Sequence, residues 1–201
     1  MKIICVENNY REHIQGLKHY FPNFPSFFFK PDTALTTDNY FYLPDFAQRF
    51  ECKCELVIKI DKVGKCIDRK FAHKYYSQVA LGMNFTAENE GTDQNLSSAV
   101  LKAFDYSALI SHNFVPIADV EREIQNIDFY IMKNGVRIWN ANTSLMIFPV
   151  NDLISHISQY ITLKTGDLIF TGSPCDAMPI EKGDFFEGFL QNEQMLHCLI
   201  K

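Results

Sequence analysis

The 201-residue chain has no apolar run near the roughly 20 residues that a bilayer-spanning helix needs, so no membrane partner is expected. Lys and Arg nowhere cluster and the net charge is −5, which removes the basic face that a nucleic-acid binder requires. There is no repeat, low-complexity tract or Pro/Gly/Ser-rich linker to divide the chain, so one domain over residues 1–201 is expected. Only 21% of residues are charged, too few for a disordered segment. Met1-Lys2-Ile3-Ile4-Cys5-Val6 places a basic residue before a short apolar run, but the run stops at Glu7-Asn8-Asn9. That is too short for a secretory signal and reads as a first strand. A cytoplasmic location follows, with the six cysteines as reduced thiols. Cys52 and Cys54 lack the second pair that a tetrahedral metal site needs, and read as small buried apolar side chains.

What the chain does have is apolar bulk: 47% hydrophobic residues, with eighteen Phe and nine Tyr, enough for a substantial core. Helices are expected from Arg11 to about Tyr20, over Phe71 to Gln78, from the cap Thr92-Asp93 to Phe104, and over Asp152 to Ile161 behind the cap Asn151. Strands are expected over Ser26 to Lys30, Glu51 to Ile60 and Val79 to Phe85, and again between the Gly-Asp turns after Asp167. Phe129 to Trp139 carries Asn134-Gly135 between two apolar stretches, the signal of a type I′ hairpin. Many strands and few short helices indicate a β-dominated α+β domain.

In the segment from Glu51 to Ile60, side chains alternate, so Glu51, Lys53 and Glu55 share one face and Cys52, Cys54 and Leu56 the other. Two carboxylates flanking an ammonium form either a solvated ion-paired strand or the floor of a polar pocket. The residues alone leave both readings open.

Asn142-Thr143-Ser144-Leu145-Met146-Ile147-Phe148 is followed, one helix later, by Thr162-Leu163-Lys164-Thr165-Gly166-Asp167 and Thr171-Gly172-Ser173-Pro174. This combination resembles the C-terminal signature of the fumarylacetoacetate hydrolase family. The resemblance implies a mixed β-sandwich roll and a homodimer. It also implies a Mg²⁺ or Mn²⁺ ion, no organic cofactor, and chemistry on carbon–carbon bonds beside the carbonyl of a small 2-keto or β-keto acid. By the same resemblance the family's Glu-x-Glu-Leu metal strand falls on Lys53-Cys54-Glu55-Leu56, its third ligand on Asn84, and a following Arg-Asp pair on Glu88-Asn89. Glu51, on the same face, is the remaining candidate ligand beside Glu55 and Asn84. Three carboxylates thus become Lys53, Glu55 and Asn84, with no net charge. An ammonium about 4 Å from a dication costs roughly 8 kcal/mol at an effective dielectric of about 20. Lys53 is therefore expected where the ion would sit, bridging Glu55 and Glu51.

Asn9-Tyr10-Arg11-Glu12-His13 matches the family's Asn-Tyr-x-x-His, which assigns His13 as a base, but the carboxylate three residues on is Gly16. Lys102 matches the lysine that steadies an oxyanion or enolate. Thr171 and Ser173 match groups that contact the substrate's carboxylate end. Cys175-Asp176-Ala177-Met178 replaces a glycine-bearing stretch of the pocket wall. The expected activity is hydrolysis, isomerisation or decarboxylation of a keto acid through an enolate, with Lys53 as electrophile in a metal-independent version. The alternative is a non-catalytic chain that keeps the fold and binds a small carboxylate.

Overall fold

The alternation over residues 51–60 is the feature around which the structure is built. The computed structural model describes residues 1–11, 22–89, 95–119 and 124–201. In chain order the first half holds strands β1 (Ile3–Glu7), β2 (Ser26–Lys30), β3 (Leu35–Thr36), β4 (Tyr40–Phe41), β5 (Phe50–Ile60) and β6 (Tyr76–Ala87). Helix α1 (Ser98–Lys102) precedes β7 (Ala108–Ile110), β8 (Val115–Pro116), β9 (Asp128–Lys133) and β10 (Val136–Asn142). Helix α2 (Val150–Tyr160) precedes β11 (Leu168–Phe170), β12 (Met178–Ile180), β13 (Phe185–Leu190) and β14 (Glu193–Ile200).

Nine strands form a mixed sheet in the order β2-β1-β11-β5-β6-β7-β3, with β12 added to β5 and β8 to β6. Five form a second sheet, β10-β9-β13-β14-β4. The sheets share one apolar cluster, in which Cys52, Cys54, Leu56, Ile58 and Met83 from the first meet Phe129, Ile131, Phe186 and Cys198 from the second. This is the expected β-dominated α+β sandwich with few short helices. The opposite face of the large sheet is apolar only in part, where Cys5, Val57, Ala80 and Phe170 pack together. Further along β5 and β6 that face turns polar, and it carries Glu51, Lys53, Glu55 and Asn84. Among the described residues no helix is long and apolar enough to cross a membrane.

The hairpin forms as expected, with Asn134 at φ 53° and Gly135 at φ 79°, both positive as a type I′ turn demands. The helix expected over Phe71–Gln78 does not form. A 3₁₀ helix, Arg69–Lys74, ends there and Tyr76 enters β6, whose pairing with β5 runs from Ile60↔Tyr76 to Phe50↔Ala87. A long ladder of cross-strand bonds outweighs the weak local helix preference of Tyr75-Tyr76-Ser77. Asn151 does not cap α2, which begins behind Pro149; the Asn151 Oδ1 instead accepts a 3.0 Å bond from the Tyr76 hydroxyl. The helix expected to reach Phe104 is the five residues of α1, capped by Ser97. Its earlier cap Thr92-Asp93 lies outside the described residues, as does the helix expected from Arg11 to Tyr20 apart from Arg11 itself.

Lys30 closes β2 inside the protein. Its Nζ donates to the carbonyls of Phe85 and Ser107 at 2.9 Å and to the Ser107 hydroxyl at 3.0 Å, so three acceptors meet three ammonium protons. Burial nonetheless pushes its pKa from 10.5 down to about 8. Since the unfolded chain then holds this proton to higher pH than the folded one, burying the charge weakens the fold below pH ~8. The penalty fades as pH rises toward ~10.5. Between pH ~7.5 and ~9.5 the wild type should therefore gain about 2 kcal/mol of stability relative to Lys30→Met, measured by urea denaturation at each pH. Parallel profiles for the two proteins would show that the three acceptors hold the ammonium at its ordinary affinity.

Candidate functional site

The polar face of β5 and β6 opens into a cavity of about 260 Å³, walled also by the end of β1, by α1 and by the loop after β11. Ligand pockets for drug-sized molecules run to roughly 300–1,000 Å³, so this one suits something smaller. Strand register explains its floor. Lys53 stands opposite Asn84 and Glu55 opposite Gly82, with Glu51 one step further along. Gly82 is required because a Cβ there would lie 2.5 Å from the Phe170 ring.

Glu55 is fully buried, and both its oxygens are engaged. Oε1 accepts from Asn84 Nδ2 at 2.9 Å and Oε2 from the Gly172 N–H at 2.8 Å. Burial raises its pKa, and these two bonds offset part of the rise. Asn84 donates one amide proton in this way, and its Oδ1 is buried with no hydrogen-bond partner among the described residues. The Thr171-Gly172-Ser173 loop is clamped to β5: the Thr171 N–H and hydroxyl both donate to the Leu56 carbonyl, at 3.0 and 2.9 Å. Asn9 pins the same loop from the other side. Its Nδ2 donates to Thr171 O at 2.9 Å and Phe148 O at 3.1 Å, while its Oδ1 accepts from the Phe148 N–H at 2.9 Å.

Lys102 enters the cavity from the last residue of α1. That helix is anchored by Phe104 just beyond it, whose ring lies 5.2 Å from Phe46 and 5.9 Å from Phe50. The Lys102 Nζ donates to Glu7 Oε1 at 2.5 Å and lies 4.8 Å above the Phe28 ring. One of its three protons is thus taken, and the residue lines the cavity. Glu7 was not anticipated from sequence, because the pairing joins residues 95 apart. The one available signal was a carboxylate closing an apolar strand on the same alternating face as Cys5.

Of the expected site residues, Lys53, Glu55, Asn84, Glu51, Lys102 and Ser173 all line this cavity. Thr171 does not; its hydroxyl serves the Leu56 carbonyl. His13 and Gly16 lie outside the described residues. Lys53 departs from its expected bridging position: it makes no ion pair within 4 Å with Glu51 or Glu55 and acts on both carboxylates through longer-range attraction. Glu51 instead meets Glu88 at the cavity rim. Partial burial raises the Glu51 pKa, and the hydrogen bond and negative charge of Glu88 raise it further. The arrangement offers ammonium and hydroxyl donors, one orphan acceptor and a pair of neighbouring carboxyls around a small volume. It is suited to an anion with one protonated oxygen.

A family model described as fumarylacetoacetate (FAA) hydrolase C-terminal matches residues 2–193. The mitochondrial oxaloacetate decarboxylase of Dictyostelium discoideum is 33% identical over 187 residues, covering 90% of this chain and 85% of that protein. The mitochondrial oxaloacetate tautomerase FAHD1 of Mus musculus is 30% identical, covering 99% and 91%. Among solved structures, a fumarylpyruvate hydrolase from Pseudomonas aeruginosa in complex with Mn²⁺ and pyruvate superposes with TM-score 0.86 at 24% identity, covering 100% of this chain and 89% of that one.

Two glycines test how tightly the site loop is held. Gly172 has φ 93° and a Cβ there would lie 3.0 Å from Asn9 Cβ, whereas Gly135 has φ 79° with nothing within 4 Å. Gly135→Ala should cost about 1 kcal/mol, for backbone strain alone, and Gly172→Ala at least ~2 kcal/mol, because the Asn9 pin must also shift. Denaturant midpoints of the two variants decide it, and equal losses would mean the loop yields freely.

Proposed function

The chain belongs to the fumarylacetoacetate hydrolase family, and from that premise we propose that it acts on a small 2-oxo acid through an enolate, by tautomerisation or decarboxylation rather than hydrolysis. The observation that carries this reading is the convergence of Lys53, Lys102 and Ser173 on one small cavity, over a floor of Glu55 and Asn84. The names of the relatives, oxaloacetate decarboxylase and oxaloacetate tautomerase, supply the substrate class.

Both reactions pass through an enolate, in decarboxylation that of the acid left after carbon dioxide departs and in tautomerisation that of the intact acid. In decarboxylation the bond from the β-carbon to its carboxylate breaks and carbon dioxide leaves. The electron pair moves to the 2-oxo oxygen, and a proton then returns to the β-carbon. Tautomerisation moves one proton between that carbon and that oxygen. Each needs positive charge where the enolate oxygen forms, which is the role assigned to the free protons of Lys102. Ser173 holds the substrate carboxylate. His13 is the base that the sequence match assigns. Hydrolysis asks for more, since activating water needs an oriented base, and Gly16 stands where the family's orienting carboxylate would be. Losing such an orienter can lower a rate by about 10⁴.

Oxaloacetate and acetylpyruvate assayed side by side separate these activities. Oxaloacetate should turn over, acetylpyruvate should be cleaved at least ~10³-fold more slowly, and Lys102→Ala should lower oxaloacetate turnover by about 10²–10³. Brisk acetylpyruvate cleavage would restore the hydrolase reading. Binding of oxaloacetate without any turnover would make the chain a carboxylate-binding member of the family.

A further inference from the structure

The family's divalent cation does not fit the groups this chain offers. Of the matched positions only Glu55 carries a carboxylate, and its two oxygens are already bonded to Asn84 Nδ2 and the Gly172 N–H. Glu51 is engaged with Glu88. No three His, Cys, Asp or Glu side chains come together as a metal site among the described residues. A hard dication needs several anionic oxygens to replace its hydration shell. Here it would meet one already bonded carboxylate, a carboxamide and an ammonium.

The same positions make a different kind of site. Lys53 and Asn84 are register partners on adjacent antiparallel strands, so their side chains leave the sheet side by side on the cavity face. Lys53 brings an ammonium with no ion-pair partner at Glu51 or Glu55. Asn84 is 5% exposed, and its Oδ1 is buried without a hydrogen-bond partner. A buried orphan acceptor is costly unless a ligand or water completes it. Beside it stands an ammonium that is not ion-paired to Glu51 or Glu55, so the complementary ligand is an anion that also carries a protonated oxygen. The charges on the rim agree with this assignment. Lys53 stands where the sequence match expects a carboxylate, and Glu88 where it expects a guanidinium, so the positive charge has moved from the rim to the floor.

We infer that the Lys53 ammonium takes the place of the divalent cation, and that the pocket binds the enol form of a 2-oxo carboxylate without metal, its carboxylate on Lys53 and its enol hydroxyl on Asn84 Oδ1. This rests on the keto-acid reading above and adds how the acid is held. No step of the enolate chemistry then passes through a metal: Lys53 joins Ser173 in fixing the carboxylate and Lys102 meets the enolate oxygen.

The test uses the full-length protein, oxalate as the carboxylate probe, and Mn²⁺ alone as the metal probe. In the presence of chelator, wild type should bind one oxalate per chain by calorimetry. Lys53→Met should weaken that binding at least 30-fold while its thermal midpoint and circular dichroism stay close to wild type. Mn²⁺ titrated by electron paramagnetic resonance should show no stoichiometric site in wild type. The double variant Lys53→Glu/Asn84→Asp should gain one near-stoichiometric Mn²⁺ site. One tightly held Mn²⁺ per wild-type chain overturns the inference while leaving the keto-acid reading intact, and so does oxalate binding that is unchanged in Lys53→Met. Absence of oxalate binding in every form, with no Mn²⁺ bound, overturns the keto-acid reading itself. If the double variant does not fold, the wild-type Mn²⁺ titration and Lys53→Met still decide.

Discussion

The carboxyl of Glu55 is where the large sheet, its neighbouring strand and the site loop are joined. It lies on the polar stretch of a strand whose other face is sealed into the inter-sheet core, and at the floor of the cavity it is only 1% exposed. A carboxyl in that position must find donors in the protein or destabilise it. Asn84 provides one from β6, and the Gly172 N–H provides one from the loop after β11. The loop is then fixed twice more, by Thr171 on the Leu56 carbonyl and by Asn9 on the Thr171 carbonyl. Through these bonds the position of Ser173 relative to Lys53 follows from the backbone of β5 rather than from any ligand.

Such an arrangement separates two kinds of site residue. Glu55, Asn9, Thr171 and Gly172 bond to backbone groups and hold the cavity open. Lys53, Glu51, Glu88 and Lys102 line it and carry the charge that a ligand would read. Thr171 belongs to the first group although its match with the family placed it in the second. A hydroxyl facing a buried carbonyl 2.9 Å away is committed to that carbonyl and has no lone proton left for a substrate.

This division also marks what could be read from the chain in advance. The alternation of residues 51–60, the Asn134-Gly135 turn and the Thr171-Gly172-Ser173-Pro174 loop are local patterns, and each appears in the structure as its spacing implies. The strand over Tyr76–Ala87 was half missed because its first residues look helical locally and become extended only through eleven register pairs with β5. The Glu7–Lys102 and Glu51–Glu88 encounters depend on where separate elements come to rest, which no spacing within one element reveals. Lys30 was hidden for a related reason. A lysine closing a Phe-rich strand looks like a solvated strand end until the carbonyls of Phe85 and Ser107 are seen to close around it.

Both carboxylate oxygens of Glu55 and the carbonyls of Leu56 and Thr171 are met from within the chain, so of the polar groups beneath the cavity described above only Asn84 Oδ1 is left for a guest. Positions 53, 84 and 88 border this bonded scaffold, and of them only Asn84 takes part in holding it. An exchange of charge at Lys53 or Glu88 therefore re-specifies the guest and leaves the host standing. In that sense the pocket behaves like a socket with interchangeable pins, and two chains sharing this backbone down to the Gly172 turn need not share a ligand.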